Sequence, residues 1–314
     1  MKQQRMNVSW IILGAVLLAG LLVVSLYPQL LTAQKPNHVD YANYATGQTA
    51  PYPPSPVHPF GTDQYGQDLL ARTLAGTLNT LLPALSITVI VVFVSMIFST
   101  LAVSSERSII SKSIQSIGNI MSALPALLLL MLVMNHRNMS SPYQEVQYTL
   151  WIALFEIGRG AYAFYESMDK WFGMDFVDGA VMIGRSRLGI LFTHLRSWLV
   201  MFLLEFAFSE LARVLSIMTM LAAFHIYAVE KMSSIPFFIS FPPILGIQSA
   251  QDSWVAIIGD ATNNGAFISY PYFLYGPFLA LLIAMLGANF IARGFRGRAI
   301  LAGSGQSILS HSSL

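Results

Sequence analysis

The chain has 314 residues, of which 55% are hydrophobic and only 10% charged, with a net charge of +2. Roughly a quarter of a soluble domain is charged, so this chain lacks the polar groups to cover itself in water and needs lipid as solvent. The small net charge excludes phosphate tracking along nucleic acid, and the absence of cysteine excludes disulfides and thiolate metal sites. The histidines at 38, 58, 136, 194, 225 and 311 never fall at the spacing of a helical metal pair, so no metal site is expected.

Lys2 and Arg5 precede an apolar run from Trp10 to Leu31. A core of about 20 residues matches a bilayer crossing, whereas a secretory h-region has about 7–15, so an uncleaved signal-anchor helix is predicted. Six spans are expected, near 9–31, 80–103, 114–134, 148–168, 197–228 and 271–292. Each must be helical because lipid offers the backbone no hydrogen bonds. The fold class is therefore an all-α integral membrane protein of about six transmembrane helices. It forms a single transmembrane domain over 1–314, with an external loop at 32–79, a five-span core at 80–298 and a flexible tail at 299–314.

Orientation follows the lysines and arginines. With the N-terminus inside, the cytoplasmic segments hold Lys2, Arg5, Arg107, Lys112, Lys170, Arg185, Arg187, Arg196, Arg293, Arg296 and Arg298. The outer segments hold only Lys35, Arg72, Arg137 and Lys231, which places both termini in the cytoplasm.

The stretch TGQTAPYPPSPVHP favours an extended chain. Gly61 then permits a turn, and Thr62 or Asp63 is positioned to cap a helix starting near Gln64. Leu70, Leu74, Leu78 and Leu81 give that helix an apolar stripe suited to the membrane interface. Further on, PFFISFPPILGI and WVAIIG are too short to cross and are expected to dip into the interface or pack on the bundle.

Between the fourth and fifth spans, in the cytoplasmic loop 169–196, DFVDGAVMIGRSRLGILFTHLRS reads as a short helix over 175–183. A Gly184-Arg185-Ser186 turn and a second helix leading into the fifth span follow. Asp175 suits the positive end of the first helix dipole, and Gly184 accepts a left-handed stop. On pattern alone this is either a rigid lever for a partner protein or an ordinary amphipathic connector.

Several stretches carry a resemblance. DFVDGAVMIG followed by His194-Leu195 resembles the EAA loop of ABC importer permeases, with Asp178-Gly179-Ala180 at Glu-Ala-Ala and Gly184 at the glycine beyond. HPFGTDQYGQDLLARTLAGTLNTL, which includes Asp68, is similar to the HPLGTDxxGRDxxSRLxYGxRxSL segment of dipeptide, oligopeptide and nickel permeases. Ala123-Leu124-Pro125 with its leucines looks like their A-[LF]-P-x-L-L-L stretch, and Asp252-Ser253-Trp254 like P-x-W-G. The matches stand in the family's order over 58 to about 298. Departures are Gln67 for the arginine of GRD, Gly179 for an alanine, Arg196 after His-Leu where proline is usual, and Tyr162 and Tyr165 at places where arginine is usual.

The resemblance implies a bacterial plasma-membrane permease of the type I importer fold that pairs with a second related permease. It implies two cytoplasmic ABC ATPase subunits bound through Asp175, Asp178, Gly179, Ala180, Gly184, Arg185 and Arg187. An extracytoplasmic binding protein docks near Gly61, Thr62, Asp63 and Asp68. The chain lacks G-x-x-x-x-G-K-[ST], so ATP and Mg are expected on the partner subunits, with no cofactor bound here and no enzymatic activity in this chain. The substrate implied is a peptide or similarly sized solute.

Glu156, Arg159, Glu205, Glu210 and Arg213 fall inside the fourth and fifth spans. Charges at depth cost at least 2–3 kcal/mol each on insertion scales, so they should face the bundle and pair. Two readings remain open: a polar pathway lining, or structural ion pairs within or between helices. Two other functions stand beside the permease: a secondary transporter using the glutamates as a proton relay, and a non-transporting scaffold. The relay reading calls for internal repeats, which the sequence does not display.

Overall fold

The computed structural model describes the chain apart from residues 1, 41, 44–47, 105–107, 124–125, 135–141, 236–243, 250, 264 and 312–314. Its helices in chain order are α1 (Lys2–Leu26), α2 (Leu69–Ser104), α3 (Ser108–Ala123), α4 (Ala126–Met134), α5 (Gln144–Phe172) and α6 (Asp175–Met182). They continue with α7 (Arg187–Thr193), α8 (Arg196–Ala222), α9 (Trp254–Asn263), α10 (Ala266–Ser269) and α11 (Tyr275–His311). Two small antiparallel hairpins join this helical frame: β1 (Ala42–Asn43) with β2 (Gln48–Thr49), and β3 (Glu230–Ile235) with β4 (Ile244–Ser249).

Among the described residues, three stretches are long and apolar enough to cross a membrane, Val8–Leu26, Leu69–Ser104 and Pro271–Arg296. Helices α5 and α8, with 29 and 27 residues, have the length but carry more charge. The core gathers where α2 packs on both α5 and α8, and α11 closes over α8. Among its fully buried side chains are Ile87, Leu130, Ile152, Phe164, Val214 and Leu215.

Small residues set the helix crossings, as they do where no hydrophobic force separates helix from lipid. A Cβ on Gly160 of α5 would lie 2.4 Å from Ser95 Oγ of α2. At that approach Ser95 donates to the Ile157 carbonyl at 3.2 Å and Ser99 to that of Ala161 at 2.6 Å. Where α1 lies on α11, a Cβ on Gly14 would sit 2.4 Å from the Gly287 carbonyl oxygen. Trp10 seals that pair against Phe290, with Arg293 over its ring at 4.9 Å.

Several sequence expectations shift. The helix predicted from Gln64 starts at Leu69 and runs unbroken to Ser104, so no separate interfacial helix precedes the second span. Asp63 accepts from the Tyr65 and Gln67 amides, and Gly66 takes φ +82°, which holds 63–67 in a turn. Asp68 supplies the cap instead, accepting from the Ala71 amide at 2.7 Å.

The span predicted over 114–134 is helical as far as it is described, in α3 and α4. The fifth span ends at Ala222 rather than 228, in a turn with His225 at φ +61°. The tail expected to be flexible after 298 continues as helix to His311. WVAIIG forms α9, packed on α8 and α11, whereas PFFISFPP falls largely outside the described residues. Leu124-Pro125 of the A-L-P match lies outside them too.

Candidate functional site

Three groups of polar residues stand out. The first is the turn ahead of α2. Gly61 has φ +77°, and a Cβ there would meet the Tyr52 carbonyl oxygen at 2.7 Å and the Tyr272 ring at 2.8 Å. Thr62 exchanges hydrogen bonds with Tyr52, its amide donating at 3.0 Å and its hydroxyl accepting from the Tyr52 amide at 2.8 Å.

Asp63 and Asp252, 189 positions apart in sequence, converge on Arg72, at 2.5 and 2.6 Å. Burial pushes the Asp63 carboxyl up from its ordinary value, against the pull of Arg72 and two backbone amides. Asp68 holds His58 Nδ1 at 2.9 Å. Ser253 caps α9 through the Ala256 amide, and the fully buried Trp254 donates from its indole to the Thr73 carbonyl at 2.8 Å. The HPFGTDQYGQD and DSW stretches are thus two halves of one knot. Gly61, Thr62, Asp63 and Asp68 are all buried in it, so their work is to shape the segment that exposed neighbours present.

The second group is the α5–α8 connector. Helix α6 covers the predicted 175–183 to within one residue, and Gly184 follows at φ +85°. Its amide and that of Arg185 close back on the Val181 and Ala180 carbonyls, at 2.8 and 3.2 Å, and Ser186 caps α7 through the Gly189 amide. Val177 and Ala180 are buried on the inner face, together with Ile190 and Leu191 of α7.

The outer face of α6 is exposed: Asp175, Phe176, Asp178, Gly179 and Val181, with Met182 at 87% and Ile183 at 79%. Arg185 and Arg187 are both exposed, but Arg187 also reaches back to α2. It donates to the Val103 carbonyl at the end of α2, at 3.2 Å, and lies over the Phe172 ring. That contact fixes the connector to α2 and gives Arg187 a positioning role the sequence pattern did not reveal.

The third group joins α5 to α8. Both helices pack on α2 and reach each other through long side chains. Glu156 Oε2 accepts from Arg159 Nε and Arg213 Nε, each at 2.8 Å, and Arg159 also reaches Glu210. The carboxylates are 1% exposed, and each keeps one buried oxygen without a partner. Arg213 is 46% exposed. One ion pair, Glu156–Arg159, lies within α5, and the other two run between α5 and α8. Glu205, grouped in the sequence with Glu210 and Arg213, pairs instead with Arg296 of α11 at 2.6 Å, one helical face away.

Tyr162 and Tyr165, at the expected arginine places, pack on α3: the Tyr162 ring covers Gly118, and the Tyr165 hydroxyl accepts from Gln115 at 3.2 Å. Among the described residues, no cluster of three or more His, Cys, Asp or Glu could hold a metal ion.

The chain is thus a helical bundle with apolar helices of membrane-spanning length, charges paired on buried helix faces and a connector that carries an exposed apolar face. No family model matches the chain. It is 26% identical over 243 residues to the peptide transport system permease protein SapC of Escherichia coli O6:H1 and, to the same degree, to that of Shigella flexneri. The alignments cover 77% of this chain and 73% of each relative. Both relatives are permease proteins of peptide transport systems, in line with the resemblance read from the sequence.

Proposed function

We propose that the chain is a membrane-spanning permease subunit of an ATP-driven importer for peptides or similarly sized solutes. ATP is hydrolysed by two partner ABC subunits that seat on α6, and a second, related permease completes the pathway. An extracytoplasmic binding protein delivers the substrate. Six crossings with both termini in the cytoplasm accommodate this arrangement, with α5 and α8 among them, in the bacterial plasma membrane.

The observation that carries the reading is the bare outer face of α6. Phe176, Val181, Met182 and Ile183 are exposed on a helix whose opposite face is buried, and the connector around it is pinned to α2 by Arg187. Contiguous apolar side chains beside Asp175, Asp178 and Arg185, outside any membrane-length helix, mark a protein contact. Because α6 and α7 link α5 directly to α8, a push on that face moves both helices that the Glu156–Arg213 network ties together. ATP-driven closure then biases a two-state arrangement of the pathway.

The test is a mild-detergent pull-down of the tagged chain from its native membrane, read by mass spectrometry. The reading expects a Walker-motif ATPase and a second multi-span protein. Recovery of the chain alone, from membranes shown to express those partners, would sink it.

A further inference from the structure

We infer that the face of α8 carrying Arg213 lines the aqueous translocation pathway, and that Arg213, with Arg159, receives the carboxylate of a peptide there. The inference rests on the peptide-permease reading and assigns a ligand group to residues that reading leaves without one.

The first support is the placing of Arg213. It stands nine residues from the end of α8 at Ala222, about 14 Å of helical rise, with a half-exposed side chain. A guanidinium at that depth does not face hydrocarbon; in membrane helices such groups face the bundle interior or water.

The second support is the stripe it belongs to. Glu205, Ser209, Arg213, Ser216 and Met220 follow one another at helical spacings of four and three, and all five are at least partly exposed. The exposed positions of α2, by contrast, are mostly apolar, Leu78, Leu82, Leu85, Val89, Phe93 and Ile97, with only Asn79 and Ser86 polar among them. Lipid suits the α2 stripe. Water suits the stripe on α8.

The third support is the chemistry of the network. Arg213 holds Glu156 through Nε, which leaves its two terminal amino groups for a ligand, and Glu156 Oε2 also keeps Arg159 Nε in place. The buried carboxylates hold both guanidiniums on one side and balance their charge. A planar fork fixed in this way matches a carboxylate bidentately, and partial exclusion of water strengthens the pairing. Every unmodified peptide carries one terminal carboxylate whatever its sequence, so the contact reads a feature common to the class.

The chain has no cysteine, which makes a direct test simple. Ser216→Cys and Ser209→Cys are introduced singly in the full transporter complex. Each is labelled with an anionic sulfonatoethyl and a cationic trimethylammonioethyl methanethiosulfonate. The inference expects both positions to react, with the anionic reagent favoured. It expects that preference to fall by about tenfold in Arg213→Gln, the effect of one unit charge a few ångströms away in partly wet surroundings, and to persist in Arg213→Lys. A mixed-sequence tripeptide pool with free C-termini should slow labelling more than the same pool amidated.

Absent labelling at both positions would overturn the pathway assignment, since the stripe is then covered by lipid or protein. Labelling with no charge preference, or equal protection by acid and amide pools, would overturn the carboxylate site. ATP-dependent uptake of the free-acid pool by the complex containing the unaltered chain reports separately on the importer reading, so the two failures are distinguishable.

Discussion

The turn ahead of α2 and the connector between α5 and α8 both rest on a glycine at positive φ, and the two glycines sit in opposite surroundings. Gly61 is walled in by the Tyr52 carbonyl and the Tyr272 ring, whereas Gly184 has nothing within 4 Å of where a Cβ would stand. Around Gly61, buried residues from segments far apart in sequence are tied together by Arg72 and Trp254. Around Gly184 the inner face is fixed and the outer face is bare. The first is a finished piece of structure; the second keeps an exposed apolar face. Resemblance to a motif alone does not separate these two uses of a glycine, but surroundings do.

The largest effect that sharpens this contrast should come from Trp254→Ala. It removes a fully buried indole and its bond to Thr73, and a loss of about 3–5 kcal/mol is expected. The measurement is thermal unfolding of the detergent-purified complex, and a midpoint unchanged within error would mean that the knot is not a stability element. Next, Gly61→Ala combines a backbone clash with a left-handed residue. About 1–3 kcal/mol should be lost in the same assay, with the ATPase still co-purifying.

Gly184→Val meets no neighbour and pays only for its left-handed backbone, so about 1–2 kcal/mol is expected, confined to the connector. Its main consequence should be functional: ATP hydrolysis continues while peptide uptake falls. Normal uptake by this variant removes the lever from the argument. The smallest stability change, within about 0.5 kcal/mol, is expected for Met182→Ser with Ile183→Ser on the bare face. The same pair should weaken recovery of the ATPase, and undiminished recovery would show that the face binds nothing there.

Much of this was legible in the sequence, for identifiable reasons. Segment 175–183 was readable as a helix stopped at Gly184 because capping and a left-handed stop are local chemistry. The start of α2 lies beyond the expected Gln64 because the cap is Asp68, five residues after the expected Asp63. What decides between them is that Asp63 is drawn to the Tyr65 and Gln67 amides and to Arg72, the last held in turn by Asp252 from another part of the chain. The roles of Arg72 and Arg187 were hidden for the same reason. Their letters were in view, but their partners are brought in by packing.

The sequence by itself determined that the chain needs lipid, where its apolar helices run, that charges inside them must pair, and the form of the connector. These follow from composition, periodicity and backbone chemistry, which act over a few residues or over the whole chain at once. Only the tertiary structure decided which charges pair: Glu156 with Arg213 across α5 and α8, and Glu205 with Arg296 on α11. Helical spacing brings residues three or four apart onto one face, but a long side chain in a low-dielectric bundle goes to whichever opposite charge the neighbouring helix presents, and that depends on how the helices cross.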